Sequence, residues 1–497
     1  MTTIWIDVED LFDYAVVNPR PSGIQRVEYE ICRCLFAAGA PGTVRFLRHA
    51  AGGTDFRTVT WPEVEALFAG FSRTKAAETA AAPTPALGTL TASVPDTAPP
   101  PRLRRRLLRW LARRTPEPLR LPLGEAVVHQ IVALRSAARA GRIAWSAVRR
   151  PRPQAALPAP LPPPPPRAEP LSAAPEVPPP ANGADPFAAA GPGDTLLVLG
   201  SPWFHAGYGA LIERMKATRG IRFGVLLYDI IPLRRPEFCD QGLVRIFSHW
   251  LSTVLPHADV LLAISKASAD DIDAYGKEKG WNLKARPIAI PMGTGFGTPA
   301  PATRLPGREY PEAGSYALIV STIEARKNHI LLFRVWRRML EEMPREKVPT
   351  LVFAGRVGWM VSDLMQQLKN ANYLDGKLVL FQDPTDGELS TLYGGAQFTL
   401  FPSFYEGWGL PVTESLAFGK PAIISSSTSL PEAGGTLARY FDPENTAEAY
   451  RVIRQVVEDP EGLRRWQGRV AREFRPVTWD EAAAAVLRAM REPAPAA

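Results

Sequence analysis

The segment that decides the fold is residues 401–434, FPSFYEGWGLPVTESLAFGKPAIISSSTSLPEAG. An apolar strand over 397–401 leads into a glycine-punctuated loop at 406–409, and Pro411 then begins a helix. Proline suits the first helical turn because the N–H group that it lacks would have no partner there. The exposed backbone N–H groups of such a loop, at a helix N-terminus, form a ready binding site for an anion. The pattern predicts a strand–loop–helix unit at which a phosphate-bearing ligand binds.

Two glutamates of this segment are candidate ligand contacts. Glu406 lies in the loop beside the expected phosphates, and Glu414 lies about one turn inside the helix, where its carboxylate can accept two hydroxyl hydrogen bonds. The alternative explanation is an ordinary strand-to-helix turn with a helix-capping glutamate. The segment resembles the sugar-nucleotide signature of retaining glycosyltransferases of family 4, which have the GT-B fold. The resemblance continues through Pro431, Glu432 and Gly434. It implies that Glu406 faces the donor sugar and that Glu414 holds the ribose. It also implies donor contacts for the residues that follow Glu406, which are Gly407, Trp408, Gly409 and Leu410.

Short apolar strands alternate with helices in two series, before and after a Gly/Pro-rich stretch at 291–314. This alternation is typical of parallel sheets covered on both faces. The strands predicted in the first series are 4–8, 44–47, 195–199, 221–228, 260–264 and 288–290. Those in the second series are 316–321, 350–354, 378–381, 398–401 and 421–424. Two series predict an α/β protein with two doubly wound domains, which bind ligands beyond the carboxyl ends of their strands.

The resemblance to the GT-B fold implies how these two series are divided into domains. An N-terminal, acceptor-side domain is expected from residues 1–72 and 191–295. A nucleotide-sugar-binding domain is expected from residues 296–475. Residues 476–497 are expected to form a helix that crosses back to the N-terminal domain.

Residues 73–190 lie outside the resemblance. They are rich in Pro, Ala and Arg, with 14 prolines between 151 and 180, and such a composition is typical of an extended, largely disordered chain. Residues 102–152 hold 14 Arg and two acidic residues, a net charge of +12, whereas the rest of the chain carries −4. Two helices are predicted in this insertion, around residues 103–111 and 126–148. The first places apolar residues on a single face among the arginines: Leu103, Leu107, Trp110 and Leu111. A basic amphipathic helix is suited to the surface of an anionic membrane, so residues 102–150 are predicted to dock there. A basic insertion without a membrane role is the alternative.

Composition limits the class of protein. At 497 residues and 46% hydrophobic residues the chain has room for about three domains with ample cores. Three cysteines cannot form a disulfide framework, which favours a reducing compartment. No run of 18 apolar residues and no signal-peptide pattern is present in the sequence. The expectation is a cytoplasmic protein associated peripherally with the inner membrane.

Two adjacent cations, Arg326 and Lys327, follow the predicted strand at 316–321 just before a helix. Cations are unfavourable at the positive end of a helix unless an anion lies there, and this pair suits a diphosphate. Solvated surface charges are the alternative. The turn is similar to the phosphate-binding turn of the family, which implies a diphosphate contact for Lys327 and, in a supporting role, for Arg326.

Two residues of the first series complete the predicted site. Gly23 precedes a helix and would allow the backbone to approach a phosphate, and its surroundings resemble the N-terminal loop of the family. Asp229 lies at a strand end, where the family has a His-Asp pair and this chain has Tyr228 in place of the histidine. Asp229 is therefore the candidate that orients a sugar or acceptor hydroxyl, although a structural role in capping the next turn is equally open. The sequence does not decide whether Arg26 faces the cleft or solvent.

No cofactor and no metal is expected. Asp271 and Asp273 have the spacing of an Asp-x-Asp metal motif, but they fall inside a predicted helix and are interpreted as a solvated face. The cations and backbone N–H groups must then stabilise the leaving diphosphate.

The predicted function is a retaining glycosyltransferase that moves a hexose from a nucleotide sugar to a lipid-linked or oligosaccharide acceptor in cell-surface glycan synthesis. The predicted catalytic residues are Glu406, Asp229 and Lys327. Resemblance to bacterial O-antigen and exopolysaccharide mannosyltransferases implies GDP-mannose as the donor. A non-catalytic polysaccharide-assembly or membrane-docking scaffold is the alternative function. Nucleic acid is not expected as a partner, because only Trp110 and Trp145 accompany the arginines.

Overall fold

The structure is a computed structural model that describes residues 2–81, 185–295 and 302–491, apart from positions 19, 40, 41, 51, 52, 54, 206 and 282. The predicted helices around residues 103–111 and 126–148 lie outside the described residues.

The first domain is built on a seven-stranded sheet in the order β3-β2-β1-β4-β5-β6-β7. All neighbouring strands are parallel except β2 and β3. The strands are β1 (Ile4–Asp7), β2 (Val44–His49), β3 (Phe56–Val59), β4 (Thr195–Val198), β5 (Arg222–Leu227), β6 (Val260–Ala263) and β7 (Ile288–Ala289). The helices are α1 (Glu9–Val17), α2 (Gly23–Ala38), α3 (Trp61–Ala81), α4 (Tyr208–Arg219), α5 (Ile231–Arg234), α6 (Gln241–Val254) and α7 (Lys266–Glu278).

Local sequence signals explain where several of these elements begin. Ser22 is the N-cap of α2 and accepts a hydrogen bond from the N–H of Ile24 at 3.2 Å. Ser265 caps α7 by accepting from the N–H of Ser268 at 2.9 Å, as its position before the helix predicted. The antiparallel edge strand β3 and the helix α1 were not predicted.

The boundaries of the long insertion differ from the prediction. Helix α3 continues to Ala81, beyond the expected limit at residue 72. On the other side, a single 3₁₀ turn at Pro186–Ala189 belongs to the first domain, because Phe187 is buried against Trp5 and Phe56. The composition of residues 73–81 and 185–190 resembles that of the insertion, so sequence alone placed them inside it.

The second domain is built on a six-stranded parallel sheet in the order β10-β9-β8-β11-β12-β13. The strands are β8 (Tyr316–Val320), β9 (Thr350–Ala354), β10 (Leu378–Phe381), β11 (Phe398–Phe401), β12 (Ala422–Ser425) and β13 (Arg439–Phe441). The helices are α8 (His329–Glu342), α9 (Ser362–Asn370), α10 (Asp386–Gly395), α11 (Leu410–Ala417), α12 (Leu430–Gly434), α13 (Thr446–Glu458) and α14 (Pro460–Glu473). The strand β13 was not predicted, because it has only three residues.

The last described helix, α15 (Trp479–Arg491), returns to the first domain as predicted. Its apolar face, including Trp479, Ala482 and Val486, is part of the first-domain core. Arg222 donates from Nη1 to the carbonyl of Met490 at 2.7 Å. The chain therefore forms two doubly wound domains joined by a crossing helix, and the predicted GT-B fold class is confirmed.

The carboxyl ends of the two sheets face each other across a cleft. Ser268 of α7 donates to the carbonyls of Tyr228, in its own domain, and of Gly407, in the other, at 3.0 and 3.2 Å. Glu432 of α12 accepts from the backbone N–H groups of Lys266 and Ala267, in the first turn of α7, at 2.9 and 2.7 Å. No helix in the described part of the chain is both long enough and apolar enough to cross a bilayer.

Candidate active site

The loop between β11 and α11 is held by hydroxyl groups from the start of α12. Thr428 accepts from the N–H of Glu406 at 3.0 Å and donates to the Glu406 carbonyl at the same distance. Ser429 donates to the carbonyls of Glu406 and Trp408 at 2.9 and 2.8 Å. Helix α11 then begins at Leu410, with Pro411 in its first turn as predicted. These contacts fix the backbone of the loop, so the direction of the Glu406 side chain is set by the fold.

Glu406 lies between two cations. Its Oε1 is 2.5 Å from Nζ of Lys327, and its Oε2 is 2.9 Å from Nη1 of Arg326. Burial alone would raise the pKa of Glu406, but Arg326 and Lys327 outweigh burial and lower the pKa to about 2. Glu406 is therefore a carboxylate at every physiological pH.

Arg326 has partners besides Glu406. It donates from Nη1 to the carbonyl of Tyr405 at 2.6 Å and pairs with Glu324 at 2.6 Å. Burial would lower the pKa of Arg326, but the carboxylates of Glu406 and Glu324 outweigh it and raise the pKa. The alternative of two solvated surface charges is thereby excluded for Arg326 and Lys327, whose side chains are 16% and 14% exposed.

The turn that carries Arg326 and Lys327 contains one residue with a left-handed backbone conformation. Asn328 has a φ of +56°, in the left-handed region that asparagine tolerates. Its buried side chain donates to the carbonyls of Pro402 and Pro443 at 3.2 and 3.1 Å. Asn328 thus ties the β8–α8 turn to the β11–α11 loop, and this contact holds the cations beside Glu406.

Asp229 reaches the same place from the first domain. Its Oδ1 accepts from the N–H of Ile231 at 3.0 Å, so it caps the next turn. Its Oδ2 lies close to Gly407, where a Cβ atom, if the residue had one, would be 3.1 Å from that oxygen and 2.6 Å from the Tyr228 carbonyl. Burial raises the pKa of Asp229, and Arg326 opposes that rise. Asp229 therefore caps the next turn and also lies beside the second domain, while a role in orienting a sugar or acceptor hydroxyl stays a prediction.

Tyr228 has a structural role. Its hydroxyl donates to the carbonyls of Leu199 and Ile24 at 2.8 and 3.1 Å inside the first-domain core. The residue that replaces the histidine of the resembled family therefore points away from Asp229 and Glu406.

Glu414 lies in a separate, buried pocket of polar groups. Tyr393 of α10 donates its hydroxyl to Oε2 at 2.9 Å, and Nη1 of Arg26, from the first domain, lies 3.8 Å from Oε1. Burial raises the pKa of Glu414, while Arg26 and Tyr393 oppose the rise. Sequence reasoning left the direction of Arg26 open, and the structure places it in the cleft.

The remaining predicted donor contacts lie between the two domains. Gly23, at the start of α2, lies next to Leu410, since a Cβ on it would be 3.8 Å from the Leu410 Cδ1. Gly409 has a φ of +123°, which residues with side chains rarely adopt, and it is the N-cap residue of α11. Trp408 packs against the cores of both domains, and its indole nitrogen is buried without a hydrogen-bond partner among the described residues.

The interpretation of Asp271 as part of a solvated face was wrong. Its carboxylate pairs with Arg234 at 2.6 Å and accepts a hydrogen bond from the Tyr405 hydroxyl of the second domain. Asp273 pairs with Lys277 one turn along the same helix, at 2.7 Å. The sequence could not show that Tyr405, beside Glu406, comes to lie over α7. Within the described residues, no group of three His, Cys, Asp or Glu side chains is placed to hold a metal ion.

Comparison with known proteins finds a family match in the second domain. Residues 308–473 match the family of glycosyl transferases group 1. This match lies within the second domain. The serotype-specific mannosyltransferase WbdA of Escherichia coli is 30% identical over 254 residues, which cover 49% of this chain and 31% of that protein. The O-antigen chain mannosyltransferase B of Escherichia coli is 30% identical over 234 residues, or 47% of this chain and 60% of that protein.

Among solved structures, the chain is similar to a crystal structure of TarM at 11% sequence identity and a TM-score of 0.45. The similar region covers 60% of this chain and 55% of the TarM chain. The chain thus spans about a third of the length of the first curated relative and somewhat more than half of the second.

The second domain supplies all the charged groups of the site except Asp229 and Arg26. Glu406, Arg326 and Lys327 form one charged cluster in it, and Glu414 with Tyr393 forms the other. Two cations at a strand-to-helix turn, beside the N-terminus of α11, can stabilise negative charge on a leaving diphosphate. The buried carboxylate of Glu414 already accepts a hydrogen bond from the Tyr393 hydroxyl. Such a carboxylate can also bind two hydroxyl groups on neighbouring carbon atoms. The geometry is suited to transfer of a group from a nucleoside diphosphate.

Proposed function

We propose that this protein is a retaining glycosyltransferase that moves a hexose, mannose, from GDP-mannose to a hydroxyl of a lipid-linked or oligosaccharide acceptor. The observation that carries the proposal is the charged cluster in which Arg326 and Lys327 hold Glu406 ionised opposite Asp229. The mannosyltransferases among the relatives support mannose as the sugar, and the match to glycosyl transferases group 1 supports a nucleotide sugar as the donor.

In this mechanism, Lys327 and Arg326 bind the diphosphate and stabilise its charge as the glycosidic bond breaks. Glu414 accepts hydrogen bonds from the two ribose hydroxyls. Glu406 faces the donor sugar as an anion, and its low pKa makes it a poor proton acceptor. The acceptor hydroxyl attacks from the same face as the leaving group, and a diphosphate oxygen takes its proton. Asp229, on the other side of the cleft, orients the sugar or acceptor hydroxyl.

The proposal includes a location. Residues 102–150 carry most of the net positive charge of residues 102–152, and each cation near an anionic surface contributes about 1 kcal/mol. We propose that this segment holds the enzyme at the cytoplasmic surface of the inner membrane, where a lipid-linked acceptor is found.

The test is a panel of sugar nucleotides incubated with the full chain. Release of the nucleoside diphosphate is measured, with GDP-mannose, GDP-glucose, UDP-glucose and UDP-N-acetylglucosamine compared at equal concentration. GDP-mannose should release its diphosphate fastest, and the fastest donor should release more when a mannose-terminated acceptor is added. The anomeric configuration of the product, read by nuclear magnetic resonance, should match that of the donor. Diphosphate release from no member of the panel would overturn the proposal.

A further inference from the structure

Two arginines of the first domain reach across the cleft. Arg20, between α1 and α2, donates from Nη1 to the carbonyl of Asp383 at 2.8 Å and to the carbonyl of Pro384. Arg26, one turn into α2, has its Nη2 3.0 Å from Oδ1 of Asp386 and its Nη1 3.8 Å from Oε1 of Glu414. The start of α2 therefore contacts the second domain after β10, at α10 and at α11.

Arg26 supplies the positive charge that faces Glu414. The Glu414 side chain is 6% exposed and that of Arg26 is 16% exposed, so water screens the pair weakly. The other groups that face Glu414 are Tyr393, which donates a neutral hydroxyl, and Asp386, which is itself an acid. Asp386 also pairs with Arg26, so one guanidinium lies between two carboxylates of the second domain.

We propose that Arg26 is a positioning residue for the donor ribose, which holds Glu414 as an oriented carboxylate and completes the ribose site only when the two domains meet. The inference rests on the proposed function, because it takes Glu414 as the ribose ligand. An ionised carboxylate accepts hydrogen bonds at both oxygens, whereas a protonated carboxyl group must donate at one of them. Two neighbouring ribose hydroxyls therefore bind the ionised form better.

The charge of Arg26 opposes the effect of burial on Glu414. Burial raises the pKa of Glu414, and Arg26 lowers it. Loss of the guanidinium therefore raises the pKa of Glu414 further, so its ionised form is populated only at higher pH. In such a variant, affinity for the ribose diol should rise with pH over a range that lies higher than in the wild type.

The first experiment measures binding of GDP, UDP and ADP to the full chain by calorimetry, and the nucleotide that binds most tightly serves as the probe. Arg26→Gln should weaken the binding of this probe about 10- to 100-fold, the range expected if one ribose hydroxyl loses its hydrogen bond to the ionised Glu414. Arg26→Lys should lose less affinity for the probe, because lysine keeps the positive charge although it lacks the planar guanidinium group. Arg57→Gln is the matched control, since Arg57 is an exposed residue on the edge strand β3, and it should bind the probe like the wild type.

The second experiment repeats the titration with the 2′,3′-dideoxy form of the same nucleoside diphosphate. Arg26→Gln and the wild type should bind this form equally, because the diol is missing. If Arg26→Gln does not fold, Arg26→Lys carries the comparison and should lose more affinity for the hydroxylated than for the dideoxy nucleotide.

The possible failures are distinguishable. Equal binding of the hydroxylated probe by the wild type and the Arg26 variants overturns the inference and leaves the proposed function standing. An equal loss for the hydroxylated and dideoxy nucleotides also overturns it, since Arg26 would then act away from the ribose. Binding of no nucleoside diphosphate by the wild type overturns the proposed function, and the inference falls with it.

Discussion

Replacement of Glu406 by glutamine should destabilise the protein, although the substitution keeps the shape of the side chain. Glutamine removes the anion that Arg326 and Lys327 share, at 2.9 and 2.5 Å, in a site where Glu406 is only 7% exposed. The pKa of Glu406 falls from its ordinary 4.5 to about 2 in the folded protein. At about 1.4 kcal/mol per unit, that difference corresponds to roughly 3 kcal/mol of folding free energy at pH 7.

The pH dependence of this stability difference follows from the direction in which the pKa of Glu406 is shifted. A group whose pKa is lower in the folded state stabilises the fold above its unfolded pKa and loses that contribution as the pH falls through the folded value. The difference between the wild type and Glu406→Gln should therefore be about 3 kcal/mol at pH 7 and roughly half of that at pH 3.

Urea unfolding, followed by tryptophan fluorescence, measures both differences. Glu341→Gln is the control, because Glu341 is 67% exposed and lies 3.7 Å from Arg337 on the surface of α8. Its effect should stay within about 0.5 kcal/mol at either pH. A Glu406→Gln protein as stable as the wild type at pH 7, or a difference that does not shrink at pH 3, would refute the reasoning.

Three further predictions concern activity and location. Lys327→Ala and Glu414→Ala should each lower diphosphate release by two or more orders of magnitude with circular dichroism unchanged, because they remove diphosphate and ribose contacts; a folded variant with normal turnover would contradict the assigned roles. Transferase activity should survive EDTA, since the two cations at 326–327 neutralise the leaving group, and complete loss restored by Mg²⁺ or Mn²⁺ would show that a metal is required. The full chain should sediment with anionic but not with neutral vesicles, whereas a chain lacking 102–150 should stay in solution; equal sedimentation of both would place the membrane contact elsewhere.

The sequence predicted the strands that flank the site and the residues of the second domain that converge there. Those signals are local: an apolar strand, a glycine-rich loop and a proline occur together at 397–411, and Arg326 and Lys327 follow their own strand directly. For the same reason, the strand ends were predicted to within a residue or two across most of both sheets.

The sequence could not show the partners that come from distant parts of the chain. Tyr393 donates to Glu414 from another helix, and Thr428 holds the Glu406 backbone from the next loop. Arg26 reaches Glu414 from the other domain. Each of these contacts joins elements that are far apart in the sequence, and the spacing of apolar residues within one element does not reveal its neighbours. The prediction for Asp271 was wrong for the same reason, because its partner Tyr405 comes from the other domain. The sequence did contain one signal for the role of Thr428, a serine- and threonine-rich run at 425–429 just before Pro431. It did not show which backbone groups these hydroxyls would bind.

The contact of Glu432 with α7 has a kinetic consequence. Its carboxylate satisfies two backbone N–H groups in the first turn of α7, at the positive end of that helix, so the second domain provides an N-terminal cap for a helix of the first. Separation of the domains breaks both bonds and returns those N–H groups to water. In the proposed mechanism the spent nucleotide leaves from between the two domains, and opening steps of this kind limit the turnover of many enzymes. We expect the same carboxylate that stabilises the assembled cleft to slow its opening.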